Sequence, residues 1–272
     1  MIEIFGGTGF VGSEFYKKYS HESEVVSRNQ LEVPNDSTIL YLISTVDNYN
    51  VLEDPKLDIK TNLLHLIDVL EANKNNNVTF HFVSSWFVYG DCELPANERS
   101  SCRPKGFYSI TKLAAEQLLE SYCKTFNIKY TITRLANVVG KTDGKISKKK
   151  NALQYLISKL KNNEHIDLYY DGIFLRDFIH VSDVADGLRY IIDHGKNGEI
   201  YNLGSGAAPI IFKDVIEYAK KSLESTSTIG SMDPTEFHKI VQVKDMYLDT
   251  SKLNNLGWKP SMTVFQAINT LL

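Results

Sequence analysis

Short apolar runs rich in β-branched and aromatic residues alternate along the chain with longer stretches whose apolar positions recur at helical spacing. Ile2–Phe5, Glu24–Ser27, Ile39–Ile43, Thr79–Ser84 and Lys129–Arg134 predict strands, and Gly12–Tyr19, Pro55–Asn73 and Tyr108–Phe126 predict helices. Strands alternating with helices imply a parallel sheet covered on both faces. Only the ten residues from Asn29 to Thr38 join the second and third strands. That is too short for a helix and a further strand, so the early part of the sheet is expected to be trimmed.

Two of the helices are apolar over more than one face. One carries Leu63, Leu64, Leu66, Ile67, Val69 and Leu70; the other carries Ile110, Leu113, Ala114, Ala115, Leu118, Leu119 and Tyr122. One stripe would cover a sheet, so the surplus near 57–73 and 108–126 suggests a homodimer, with a well-covered monomer core as the alternative. After Gly140 the texture changes. Lys141–Lys150 is polar and basic, Leu153–Leu160 reads as a helix, Tyr169–Gly172 as a turn, and Arg176–Val181 as extended. A helix over Val184–Ile192, a strand over Ile200–Leu203 and a helix over Phe212–Leu223 follow, and Ser225–Met232 reads as a flexible loop. No internal repeat is visible, and Lys74–Asn77 reads as a surface turn.

The 272 residues fit one large or two modest domains, and 43% hydrophobic with 23% charged residues is ordinary for a globular protein. A net charge of −3 argues against a nucleic-acid partner. No apolar run reaches the ~18 residues that suggest a membrane span. The chain opens directly on a strand without a charged leader, and its three cysteines, Cys92, Cys102 and Cys123, lack C-x-x-C spacing. A cytoplasmic protein with reduced thiols is the expectation. No His, Cys or Asp cluster has metal-ligand spacing.

The sharpest local signal is Gly6-Gly7-Thr8-Gly9-Phe10-Val11-Gly12, directly after the first strand and opening the first helix. Glycine tolerates the positive φ of the tight turn, missing side chains admit a pyrophosphate, and a helix N-terminus offers free N–H groups. A dinucleotide is the expected ligand, with Gly6, Thr8, Gly9, Phe10, Val11 and Gly12 around it. At the end of the second strand Ser27 and Arg28 stand where a carboxylate would grip a ribose 2′-hydroxyl. An arginine there suits a 2′-phosphate, so NADP(H) is favoured and NAD(H) is the alternative. Tyr108 and Lys112, four apart, share a helix face, with Ser84 and Ser85 upstream at a strand end. A nearby ammonium lowers a phenol's pKa toward the range useful for proton transfer, and a serine hydroxyl can hold a carbonyl.

With these motifs the sequence resembles an extended short-chain dehydrogenase/reductase of the nucleotide-sugar epimerase/dehydratase/reductase group. Further matches are Ser84–Gly90, Arg134–Val138, Arg176–Val184, Tyr201–Gly206 and Leu256–Pro260. The resemblance implies an α/β fold, a Rossmann-type doubly wound parallel sheet with a smaller C-terminal substrate-binding lobe. The expected division is a core over 1–140, rejoined by parts of 176–204, and a lobe over 141–272. It makes Tyr108 the general acid/base, Lys112 its helper on the nicotinamide ribose, Ser85 the catalytic hydroxyl and Ser84 a cofactor support. Asn137 and Arg176 match positions that touch the substrate diphosphate. Asn62, opening its helix, matches a position near the cofactor, with simple capping as the alternative. His81 and His180 read as structural, and Lys148–Lys150 as a solvated run.

Departures from the group narrow the reaction. Its 4,6-dehydratases follow the catalytic hydroxyl with an Asp-Glu pair, where this chain has Trp86 and Phe87. Phe87 also replaces the epimerising cysteine of GDP-fucose synthases. Neither aromatic shuttles a proton; both are candidates for the wall of the sugar pocket. The expected activity is NADPH-dependent reduction of a nucleotide-linked 4-keto-6-deoxyhexose. An NAD-dependent 4-epimerase is the alternative. A non-catalytic NADP-binding sensor would need the glycine loop but has no use for Tyr108, Lys112 and Ser85.

Overall fold

A computed structural model describes residues 1–46, 48–141 and 152–272; the Lys148–Lys150 run lies outside them. The first half lays down β1 (Ile2–Phe5), α1 (Phe10–Tyr19), β2 (Ser23–Val25) and β3 (Thr38–Tyr41). Next come α2 (Leu57–Ile59), a π-helical turn (Lys60–Leu64), α3 (His65–Asn73), β4 (Thr79–Ser85), α4 (Phe107–Phe126) and β5 (Lys129–Leu135). The chain then passes through β6 (Asn137–Val139), α5 (Ala152–Lys161), β7 (Ile166–Tyr169), β8 (Leu175–Arg176) and β9 (Phe178–His180). Helix α6 (Val181–His194) leads to β10 (Glu199–Leu203). The remainder is β11 (Ile210–Ile211), α7 (Phe212–Ser222), β12 (Ile229–Met232), α8 (Glu236–Val241), α9 (Ser251–Leu256) and α10 (Val264–Asn269).

Six strands form one parallel sheet in the order β10-β5-β4-β3-β1-β2. Side chains alternate between its faces as the pleat requires. Ile2, Ile4, Leu40 and Val83 pack with Phe15 of α1 and Val184, Leu188 and Ile191 of α6. Phe5, Ile39, Tyr41, Phe80 and Phe82 pack with Leu66, Val69 and Leu70 of α3 and Ala115 and Leu119 of α4. The sheet is therefore doubly wound. The span between β2 and β3 has neither helix nor strand, which is the trimming its length predicts.

A third core unites α5, β7, α7 and α10 through Leu153, Ile157, Leu168, Val215, Ile216 and Ile268. One expectation fails here. Ser225–Met232 is not a free loop: Ser225 Oγ donates to Leu160 O at 2.6 Å, Ser227 is buried, and β12 pairs in parallel with β7. Its partner lies some sixty residues upstream, so nothing local reveals the pairing. Extended structure at Arg176–Val181 is also interrupted, because Val181 already starts α6 with His180 as its N-cap.

Links between the two regions come from segments distant in sequence. Tyr49 packs at a tilt against Phe237, its hydroxyl lies 3.2 Å from His238 Nδ1, and the Asn48 amide donates to Val241 O. Ala96 pairs with Leu248, and Met246 N donates to Leu175 O. Among the described residues no helix is long and apolar enough to cross a membrane.

Candidate active site

The strand order reverses between β1 and β3, and in open α/β sheets the crevice at such a point receives the ligand. The glycine loop follows β1 there. Gly6 has φ +86°, a conformation that favours glycine, and accepts from Gly9 N at 3.0 Å. A Cβ on Gly12 would lie 2.4 Å from Gly6 O and 2.7 Å from Gly7 Cα; one on Gly7 would meet the Val25 side chain at 2.7 Å. The loop is thus pressed against its own helix and against the end of β2. Gly9 caps α1 without a side-chain bond, and no acidic residue sits in the first turn. Thr8 is exposed, Phe10 and Val11 are half-buried, and Ser27 and Arg28 lie exposed just beyond β2. This cradle, too narrow for side chains and open at a helix N-terminus, fits a dinucleotide pyrophosphate.

Beside it runs the segment after β3. Asn62 donates to Thr45 Oγ1 and Thr111 Oγ1, both at 2.9 Å, and accepts from Ser44 Oγ at 3.1 Å and Thr45 N at 2.9 Å. It lies inside the π-helical turn rather than at a helix start, which corrects the capping alternative. Its amide ties the Ser44–Thr45 segment to α4.

The helix α4 carries the Tyr108–Lys112 pair, both buried. Gly106 N donates to Ser109 Oγ, and Asn48 Oδ1 accepts from Ser109 N, which fixes the first turn. The Lys112 ammonium donates to Val83 O at 2.7 Å and sits 4.1 Å from the Phe82 ring centroid. Burial pushes its pKa down to about 7, opposed by Glu116. At the end of β4, Ser85 Oγ accepts a long bond from Phe87 N, while the buried Ser84 Oγ has no hydrogen-bond partner among the described residues. An orphaned hydroxyl at this strand end also fits a bound cofactor.

Phe87 meets Tyr108 edge to face at 5.7 Å and stacks on Trp86 at 3.9 Å. Arg176 continues the row, 5.8 Å from the Trp86 ring and 4.5 Å from Phe174. Its guanidinium donates to the carbonyls of Leu175, Val243 and Lys244. Asn137 donates to Asp177 O at 3.0 Å. The structure therefore joins Ser85, Phe87, Tyr108, Trp86 and Arg176 in one connected row, with Lys112 one turn along α4 from Tyr108 and Asn137 tied to the residue after Arg176.

Sequence reasoning missed Asn48, Glu116 and Arg134. Arg134 Nη2 donates to Glu116 Oε2 at 2.6 Å, both side chains 4% exposed. The linear hints are the recurrence of polar positions 108, 112 and 116 at helical spacing and the place of Arg134 at the head of a matched stretch. His81 is a core residue, with Nδ1 2.7 Å from Thr131 Oγ1. The three cysteines are free thiols.

The profile of the NAD dependent epimerase/dehydratase family matches residues 38–204, more than half of the chain. The chain belongs to that family, whose members are nicotinamide-dependent enzymes of the extended short-chain dehydrogenase/reductase type acting on nucleotide sugars. A dTDP-4-dehydro-6-deoxyglucose reductase of Escherichia coli is 25% identical, spanning 100% of this chain and 84% of that protein. Among solved structures, the UDP-glucose 4-epimerase of Thermotoga maritima with UDP-glucose superposes with a TM-score of 0.86 at 21% identity, covering 99% of this chain and 96% of that one. RMD from Pseudomonas aeruginosa, complexed with NADPH, gives 0.83 at 22% identity over 100% and 97%.

Proposed function

We propose that this protein is an NADPH-dependent reductase of the C4 keto group of a nucleotide-linked 4-keto-6-deoxyhexose. Two observations support the reading: Phe87, packed against Tyr108, has no transferable proton where the family resemblance places the group that serves elimination or 3,5-epimerisation, and Arg28, exposed beyond β2, favours the NADPH of a reductase over the NAD of a 4-epimerase. The similarity to a dTDP-4-dehydro-6-deoxyglucose reductase and to a GDP-6-deoxy-D-mannose reductase supports it.

When bound, the reduced nicotinamide supplies a hydride. Gly6, Gly7, Gly9 and Gly12 admit the pyrophosphate, with Thr8, Phe10 and Val11 around it; Ser27 and Arg28 receive the 2′-phosphate. Ser84 supports the cofactor, and Asn62 fixes the Ser44–Thr45 backbone beside it. Ser85 donates a hydrogen bond to the C4 oxygen. Tyr108 delivers its phenolic proton to that oxygen, which leaves the sugar as a secondary alcohol and Tyr108 as a phenolate. Lys112 stabilises the phenolate as an ammonium until a proton returns from water. Trp86 and Phe87 wall the sugar and exclude water. Asn137 and Arg176 face the diphosphate, Arg176 also holding the Val243–Lys244 backbone in place.

A homodimer belongs to the same reading. Leu57, Ile59 and Leu64 on one side and Phe107, Ile110, Leu118 and Phe126 on the other are 38–55% exposed, as the second apolar face of these helices implies. The test of catalysis is Tyr108→Phe. An enzyme loses turnover and keeps its dinucleotide affinity; a variant that turns over like the parent overturns the assignment.

A further inference from the structure

The stripe that carries Tyr108 and Lys112 continues for another turn. Tyr108, Lys112 and Glu116 are four apart on α4 and are 8%, 2% and 3% exposed. Glu116 is a carboxylate removed from water, and such a group needs a partner. Arg134 provides it: Nε donates to Oε1 at 3.1 Å and Nη2 to Oε2 at 2.6 Å. Arg134 is itself pinned. It lies in register with Ser84 across the sheet, and its guanidinium sits 4.7 Å from the Tyr89 ring, whose hydroxyl donates to Asn202 Oδ1 at 2.6 Å. The pair is built into the sheet rather than laid on a surface.

We propose that Glu116, held as a carboxylate by Arg134, is the counter-charge that keeps Lys112 cationic beneath Tyr108. This rests on the reading that Lys112 serves Tyr108, and it gives Glu116 a positioning role one helical turn from the chemistry. Other groups packed around Lys112 do not supply the charge. Strand β4 offers the Val83 carbonyl and the Phe82 ring. The π-helical turn offers Asn62, and the buried Asp58 of α2 takes its hydrogen bonds from Thr45 and Asn50 rather than from Lys112. Phe87 is apolar, and β5 contributes the Arg134 cation, which would repel an ammonium. Tyr89 and Cys102 lie around Arg134, and burial pushes both their pKa values up, so they are neutral. Glu116, one helical turn from Lys112 and buried with it, therefore stands as the opposing charge against the burial that drags Lys112 down.

The sign is definite. A cationic Lys112 is lost as pH rises through its pKa, and removing a neighbouring negative charge moves that midpoint lower. The experiment is a pH titration of the free protein labelled at lysine Cε with ¹³C, the Lys112 resonance being the one absent from Lys112→Met. In Glu116→Gln the Lys112 midpoint is expected to fall by about one pH unit or more. Glu116→Asp restores the charge and returns the midpoint toward that of the parent. Should the lone Arg134 cation unfold Glu116→Gln, the double variant Glu116→Gln/Arg134→Gln keeps a neutral hydrogen-bonded pair and is expected to show a smaller fall in the same direction, since the repelling cation leaves with the carboxylate. A folded variant whose Lys112 titrates where the parent does, with only its thermal stability changed, overturns the proposal. No cofactor or sugar enters this titration, so its outcome is separate from whether the enzyme proves to be a reductase.

Discussion

Replacing Gly12 with alanine tests the cofactor cradle at its tightest point. The new Cβ would stand 2.4 Å from Gly6 O and 2.7 Å from Gly7 Cα, both backbone atoms that no rotamer change can move away. Restoring an ordinary contact requires the loop to retreat by about 1 Å, and a displacement of that size at a positioned group costs roughly 100-fold, or about 2.7 kcal/mol. The helix itself does not suffer, because alanine in place of glycine favours helix by about 1 kcal/mol. Gly9→Ala separates the two causes of a loss, since its Cβ would meet Gly6 O only at 3.2 Å and so would act by occupying the pyrophosphate's place rather than by pushing the loop. Calorimetric titration with NADPH, alongside circular dichroism, should show both variants folded and Gly12→Ala with Kd raised about 100-fold. A folded Gly12→Ala protein that binds as the parent does would refute the cradle argument.

Three further outcomes are expected. Arg28→Ala should weaken NADPH far more than NADH in the same titration, and equal losses would sink the 2′-phosphate assignment. His81 is buried, and burial holds its pKa down to about 4, with Asp193 opposing. Because the unfolded chain takes up that proton nearer the usual imidazole range, stability falls as pH drops from about 6.5 toward 4, by about 2 kcal/mol at pH 5; urea unfolding of His81→Asn should lose this part of the slope, and an unchanged slope would contradict it. Leu118→Glu should turn a dimer into a monomer in light scattering, and an unaltered mass would remove that face from the interface.

How far the sequence could be read depended on the range of the interaction. The glycine loop was legible because turn, strand and helix signals lie within about a dozen consecutive residues. Tyr108 and Lys112 were legible because helical spacing alone puts them on one face. Glu116 was not, since its meaning depends on Arg134, which reaches it from the neighbouring strand. Asn62 was visible as a position but not as a clasp, because its partners come from the β3 segment and from α4. Ser225–Met232 misled for the same reason in reverse: small polar residues suggest a loop until β7 supplies the other half of a ladder.

The central claim is tested most directly by following reduced-nicotinamide absorbance as the protein and NADPH meet dTDP- or CDP-4-keto-6-deoxyglucose, with NADH as the control. The account predicts NADPH loss stoichiometric with the keto sugar and markedly slower loss of NADH. No loss with either cofactor, together with NAD-dependent interconversion of hydroxylated nucleotide sugars at C4, would contradict it and make the protein an epimerase.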